Sequence, residues 1–241
     1  DNNLIEIESK QPNSTFANFE HFSGVLSKNK ILAIGEVTHG VKEFMDFRGT
    51  LIKHLVTKLN YKVIVVESDF SGAQLINDYI LYGKGDKQAS MMGMLGIWRN
   101  KEFVEIIDWL KEYNLTQTFA NKVKLYGCDM QTTLTAAWIG NGSIKLKKGL
   151  SDDSRKALTM MQDIFYKVKS ADKEILQKLK SELNDEIALL PDTSRLSRSI
   201  LTVVQSIDYF QAGDWYQRNK IRDKCMAENV AWLYEYEKKN N

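Results

Sequence analysis

The sequence predicts an α/β fold: a mainly parallel sheet flanked by helices, with an all-helical insertion. Three observations predict it. Short apolar runs over 30–35, 62–67 and 122–127 alternate with amphipathic segments, the strand–helix–strand order that builds parallel sheets with right-handed crossovers. Only two prolines occur, Pro12 and Pro191, which favours long helices over a loop-rich β fold. Beyond about residue 140 the apolar period is helical until the chain ends.

Residues 1–29 are polar and mixed and read as an N-terminal arm with one short helix. The run Lys30-Ile31-Leu32-Ala33-Ile34-Gly35 reads as a strand leading into Glu36, His39 and Gly40. A helix over 41–59 carries Phe44, Phe47, Leu51, Leu55 and Leu59 on one stripe. Lys62-Val63-Ile64-Val65-Val66-Glu67 is apolar on both faces, the mark of a central strand. A helix over 71–82 ends at the turn Gly83-Lys84-Gly85-Asp86. Residues 90–100, around Trp98, read as irregular or weakly helical. The helix over 101–113 turns Phe103, Ile106, Ile107 and Leu110 inward, and a strand over 122–127 precedes Asp129.

Asn141-Gly142-Ser143 and Lys145-Leu146-Lys147-Lys148-Gly149 read as a connection. Three helical patterns follow. The first, 152–169, carries Leu158, Met161, Phe165 and Val168; the second, 172–189, carries Ile175, Leu176, Leu179, Leu183 and Ile187. The third, 193–211, carries Leu196, Ile200, Val203, Val204 and Ile207, and a long helix over 215–237 closes the chain. The expected division is an α/β core of 1–139 and 213–241, incomplete at its C-terminus, with a helical insertion of 140–212.

The composition is that of an ordinary globular chain. Of 241 residues, 43% are hydrophobic and 27% charged, with 33 basic against 31 acidic residues. A net charge of +2 gives no reason to expect nucleic acid or an anionic membrane as partner. No apolar run approaches the roughly 20 residues that span a bilayer. The expected partner is a small molecule, and the composition does not decide the oligomeric state. The chain starts at Asp1 with no visible signal peptide, so a soluble protein is expected, either cytoplasmic or exported after leader removal. Cys128 and Cys225 are the only cysteines, so no disulfide framework is needed.

The chemistry-bearing residues cluster at strand ends. Glu36, Glu67 and Asp129 each stand at or just beyond the C-terminal end of an expected strand. In a parallel sheet those ends share one edge, where ligands bind. Gathered carboxylates need cations or donors to compensate them. His39 lies three residues after Glu36, and Arg48 sits on or beside the apolar stripe of its helix, where its planar fork can meet a carboxylate. Arg218, Arg222 and Met226 recur at every fourth position of the last helix. Two stacked arginines repel unless something anionic lies between them, so they either meet these acids or form a solvated face.

Blander readings stand beside these. A single acid ending a strand is usually solvated, a reading that three in succession weaken. Arg48 can simply snorkel. His54 reads as structural or exposed and His21 as exposed. Cys128 reads as a small buried side chain rather than a nucleophile. Trp98, Trp215 and Tyr216 either line a pocket or belong to the core.

Taken together, these residues resemble the erythromycin esterase family. The resemblance rests on Gly35-Glu36-x-Thr38-His39-Gly40, Glu43-Phe44, Arg48 and Leu51-Ile52. It continues through Glu67, Tyr126-Gly127-x-Asp129-Met130-Gln131 and Arg222-Asp223-x-x-Met226-Ala227-Glu228-Asn229. These strings keep the family's order from about 30 to 233. The resemblance implies a hydrolase that in some members opens a macrolide lactone with water, on an α/β core with a helical insertion. It makes His39 the general base. Glu36 and Glu67 orient and polarise it or the water, while Arg48 holds the acids or stabilises the oxyanion. Glu43, Asp129, Gln131, Arg222 and Asp223 become substrate-binding or supporting residues. The family's last helix leads into a strand ending in His-Asn-x-His, whereas this sequence has no histidine after His54. The chain is therefore expected to be the N-terminal part of a longer protein.

Water-mediated hydrolysis of an ester or lactone is the first reading, with no cofactor required. Nearby carboxylates favour the protonated imidazole that a base becomes, and backbone donors of the 36–40 turn or Arg48 would serve the oxyanion. No Gly-x-Ser-x-Gly elbow occurs, so an acyl-enzyme is not indicated. A metal-dependent hydrolase using Glu36, His39 and Glu67 is the second reading. A binding module without catalysis is the third.

Overall fold

The computed structural model describes residues 17–131, 134–161 and 172–240, with all of their side chains except those of Ala17, Asn18 and His21. Ten α-helices and two strands appear among them: α1 (Ala17–Leu26), α2 (Lys42–Leu59), β1 (Val63–Asp69), α3 (Gly72–Tyr82), α4 (Lys87–Met91), α5 (Lys101–Leu115), β2 (Lys124–Asp129), α6 (Leu134–Gly140), α7 (Asp152–Met160), α8 (Asp172–Ile187), α9 (Arg195–Gln211) and α10 (Trp215–Asn240). The expectations for His21, Phe165 and Val168 fall outside what is described.

The two strands pair in parallel. Lys124 N donates to Lys62 O at 2.8 Å at their start, and Phe70 N to Asp129 O at 3.1 Å at their end. Gly127 permits this approach, because a Cβ there would stand 2.3 Å from Asp69 O. On its other edge, β2 is closed by a side chain. The buried Asn77 accepts from Leu125 N at 2.9 Å through its Oδ1, and so satisfies a donor that would otherwise face a further strand.

The sheet is smaller than the sequence suggested. Residues 30–35 are not a strand. Exposure alternates there, with Leu32 and Ile34 half-buried and Ile31 and Ala33 exposed, the period of extended chain. Leu32 and Ile34 bury their side chains against Phe19, Leu51 and Leu55. Packing on helices thus takes the place of a hydrogen-bonded ladder.

The chain divides into two compact units whose boundary crosses both strands and α3. In the first unit, which holds the described residues up to Ile64, Asp78–Lys84 and Gly96–Lys124, α2 packs on α5 and α1. Gly49 lets α2 approach α5, since a Cβ there would lie 3.2 Å from Ile106. Asn60, in the left-handed conformation with φ 58°, ends α2. Asn114 closes the approach to β2 by accepting from Val123 N at 2.7 Å and donating to Val123 O at 2.9 Å.

In the second unit, Val65–Asn77, Gly85–Leu95 and Leu125 onward, helices α6 to α9 share one apolar core. It is built on Leu158, Leu176, Leu179, Leu183, Ile200, Val203 and Ile207, the positions that helical periodicity selects. Leu196 departs from its expected inward place and is 36% exposed. The short α6, with Ala136 and Ile139 in the same core, was not foreseen. The lysine-rich connection is tied down by acids of α8. Buried Glu186 accepts the backbone N–H groups of Lys147, Lys148 and Gly149, and Glu182 accepts that of Ser151 at 3.0 Å. Among the described residues, no helix is long and apolar enough to cross a membrane.

Candidate active site

Among the described residues, the sequence-selected charges gather in two clusters, one in each unit. The first is centred on Glu36. Its Oε1 meets His39 Nδ1, and its Oε2 accepts from Arg48 Nη2 at 3.1 Å. The two partners differ in setting: the His39 side chain is 56% exposed, whereas Arg48 is only 9% exposed. Arg48 lies over the Trp98 ring at 5.3 Å and meets Met45 Sδ at 3.2 Å. It is therefore a packed guanidinium committed to Glu36, not a snorkelling one. Partial burial raises the Glu36 pKa, but the His39 hydrogen bond and the charges of Arg48 and His39 outweigh it and hold the carboxyl below its ordinary value. An ionised carboxylate only accepts, so His39 must donate through Nδ1–H. In a neutral imidazole, that tautomer is the one that places the lone pair on Nε2.

The second cluster is centred on Arg222 of α10. Its Nε stands 3.1 Å from Asp129 Oδ2, and its Nη2 is 2.5 Å from both Asp129 Oδ2 and Glu67 Oε1. Asp129 is buried and also accepts from Met130 N at 2.7 Å and Gln131 N at 3.0 Å. Burial lowers the Arg222 pKa, but the hydrogen bonds and charges of Asp129 and Glu67 outweigh it and drive it up. Of the two readings open for the arginines of α10, Arg222 meets the acids. Burial, with the negative charges of Asp129 and Glu67, pushes the adjacent Cys128 thiol up to about 12, so Cys128 is a buried thiol rather than a nucleophile.

The remaining candidates divide. Gln131 donates to Tyr209 OH at 2.9 Å through Nε2. Glu43 is exposed in the first turn of α2, and Asp223 is exposed one position beyond Arg222. Trp98 is core, whereas Trp215 and Tyr216 are 78% and 68% exposed and belong to no core. His54 is buried, 3.0 Å from Ser23 Oγ through Nε2, and burial lowers its pKa. Among the described residues, no three His, Cys, Asp or Glu side chains gather to hold a metal ion. A cavity of about 510 Å³ in the second unit is lined by Leu201, Val204, Asp208, Ile221, Cys225 and Glu228 among others; none of the sequence-selected site residues lines it.

Sequence reasoning missed how Arg222 is placed. Asn229, seven positions further along α10 and fully buried, donates to Cys128 O at 2.8 Å and to Gln205 Oε1 at 3.2 Å. Its Oδ1 accepts from Arg198 Nε at 2.9 Å. The seven-residue spacing puts Arg222 and Asn229 on one helix face. They grip successive residues of β2, and that spacing was the available signal.

A family model described as erythromycin esterase matches residues 56–241. The chain belongs to the erythromycin esterase family. The matched span includes Glu67, Asp129 and Arg222 and begins after Glu36, His39 and Arg48. Erythromycin esterase type II of Escherichia coli is 25% identical over 126 residues, which cover 52% of this chain and 29% of that protein. Putative hydrolase YbfO of Bacillus subtilis (strain 168) is 32% identical over 90 residues, 36% of this chain and 20% of that protein. Among solved structures, a succinoglycan biosynthesis protein superposes with a TM-score of 0.76 at 19% identity, covering 96% of this chain and 59% of the other. An erythromycin esterase mutant, EreC in its open conformation, superposes with a TM-score of 0.68 at 18% identity, covering 94% and 62%. These superpositions speak for the fold, and the chain spans under two thirds of each of these relatives.

Proposed function

We propose that this chain carries catalytic residues of a hydrolase that cleaves an ester or macrolide lactone with water, with His39 as general base. The observation that carries this reading is the Glu36 bridge between an exposed imidazole and a packed guanidinium. The ionised carboxylate fixes Nδ1–H and stabilises the imidazolium that forms when Nε2 takes a proton from water. Arg48 holds Glu36 in place and keeps it ionised. The activated water adds to the carbonyl carbon, the carbonyl oxygen takes the negative charge, and collapse expels the alcohol, which regains the proton from His39. Glu67 and Asp129, which share the single guanidinium of Arg222, are assigned to substrate handling with Gln131, and the helices of 140–212 are assigned as an insertion. Glu43 and Asp223, both exposed, have the weaker claim.

Each carboxylate cluster already contains a guanidinium, so the reading uses no resident metal. Chelator-sensitive activity restored by a divalent ion would replace it with the metal-dependent one. The deciding experiment incubates the full-length protein with erythromycin and with simple esters and follows the gain of one water by mass spectrometry. His39→Ala is expected to lower kcat by about 10²–10⁴-fold, the usual worth of a general base, with an unchanged melting temperature. Wild-type turnover in the variant would reject the role. Binding of these compounds without turnover in the wild type would favour the non-catalytic reading.

A further inference from the structure

We propose that one surface of the first unit docks on an anionic lipid bilayer, through four chain segments that carry lysines and exposed apolar side chains but no acid. The proposal does not depend on the hydrolase reading.

Over the whole chain, 33 basic residues stand against 31 acidic ones. Residues 22–35, 55–64, 79–84 and 113–124 depart from that balance, with seven lysines and no Asp, Glu or Arg. The acids that border them in the chain are Glu20, Glu36, Asp78 and Glu112. All four segments belong to the first unit, and side chains join them. Tyr61 OH lies 2.6 Å from Asn29 O. Lys62 Nζ donates to Asn121 Oδ1 at 2.8 Å, and Lys122 Nζ to Leu81 O at 2.8 Å. The net charge of +2 therefore hides a local surplus gathered in one place. Among the described residues, Lys62 and Lys122 bond to uncharged oxygens rather than to carboxylates. Lys28, Lys30, Lys58 and Lys84 are exposed.

The same segments expose apolar surface. The rings of Tyr82 and Phe119 stack with centroids 6.3 Å apart, yet they remain 51% and 60% exposed. Lys84 Nζ lies 5.3 Å from the Tyr82 ring centroid. Ile31 and Leu115 are exposed as well. Aromatic rings settle at the boundary between headgroups and acyl chains, where lysines meet anionic headgroups. Nucleic acid is the weaker match. Ile31 and Leu115 gain nothing from a phosphate backbone, and without arginine the segments lack the planar fork that grips single phosphates. Flexible ammonium groups suit a diffuse negative surface instead. The contact is peripheral: the rings reach the headgroup boundary and the chain does not enter the acyl core.

The test floats the full-length protein with vesicles of phosphatidylcholine alone, and with vesicles of equal parts phosphatidylcholine and phosphatidylglycerol. Flotation is expected only with the second, and it should fall as salt is raised. Lys58→Gln and Lys84→Gln should each weaken vesicle binding by about fivefold, the worth of one lysine near an anionic surface. Phe119→Ser should weaken it at low and high salt alike, because salt does not screen the burial of a ring. Lys101→Gln removes an exposed lysine of the same unit outside the four segments and should float like the wild type. Thermal melts establish that each variant folds. Equal flotation with both vesicles, or with neither, overturns the proposal, as do Lys84→Gln and Phe119→Ser variants that float like the wild type. Binding to a single-stranded oligonucleotide without flotation overturns it in favour of a nucleic-acid face.

Discussion

Arg222 lies side-on against Asp129, with Nε 3.1 Å and Nη2 2.5 Å from the same carboxylate oxygen, across 93 positions of sequence. Asp129 is 1% exposed, so its charge depends on that guanidinium and on two backbone N–H groups. Breaking a buried pair by removing one partner leaves an uncompensated charge, a loss of about 3–5 kcal/mol. Arg222→Met is therefore expected to lower unfolding free energy by about that amount in urea denaturation. Adding Asp129→Asn should recover part of the loss, because the stranded charge is gone. Additive losses in the double variant would contradict the pairing.

Glu36 gives a pH dependence with a definite sign. Its pKa in the fold lies below the ordinary 4.5. The folded carboxyl holds its proton less tightly than the unfolded one, so it stabilises the fold above the unfolded value. That contribution is lost as pH falls from about 4.5 through the folded pKa. Wild-type stability should therefore drop more steeply over this window than that of Glu36→Gln. Parallel curves in acid-dependent denaturation would show that Glu36 gains nothing from His39 and Arg48.

Gly127 tests the sheet. A Cβ there would meet Asp69 O at 2.3 Å and Ser68 O at 2.5 Å, both backbone atoms that cannot swing aside. Gly127→Ala is expected to cost about 3 kcal/mol or more, the upper range for overpacking. Gly24→Ala provides the contrast. Gly24 lies in α1 with nothing within 4 Å of its would-be Cβ, so the change should stabilise by about 0.5–1 kcal/mol through helix propensity. Equal effects at the two positions, read from thermal melts, would contradict the close approach of β1 and β2.

The two thiols should be inert in the folded protein. Both are buried. Burial and neighbouring acids push Cys128 up to about 12, and burial with Glu228 and Asp208 pushes Cys225 up to about 11. The reactive thiolate is scarce at neutral pH in either case. A disulfide reagent should label neither until denaturant is added, and rapid labelling of Cys128 under native conditions would reopen it as a nucleophile.

Periodicity made most helices legible. The stripes Phe103, Ile106, Ile107, Leu110 and Leu176, Leu179, Leu183 are buried as read, because a 3.6-residue period needs only local sequence. The same reasoning overreached at 30–35. An apolar run shows that side chains will be buried but not whether a neighbouring strand will pair with the backbone, and here Leu32 and Ile34 found α-helical partners. The short α6 was missed because seven residues give too few turns for a period to show.

By itself the sequence determined most of the helical segments, the two central apolar strands, and the acids, imidazole and guanidinium that form the candidate site. These depend on residues a few positions apart, where spacing and side-chain chemistry suffice. Only the tertiary structure decided that Arg48 serves Glu36, that Arg222 serves Asp129 and Glu67, and that Asn229 holds Cys128 O one residue before Asp129. A charge can pair with any opposite charge the chain brings near it, and which one comes near is set by long-range packing that no local pattern encodes.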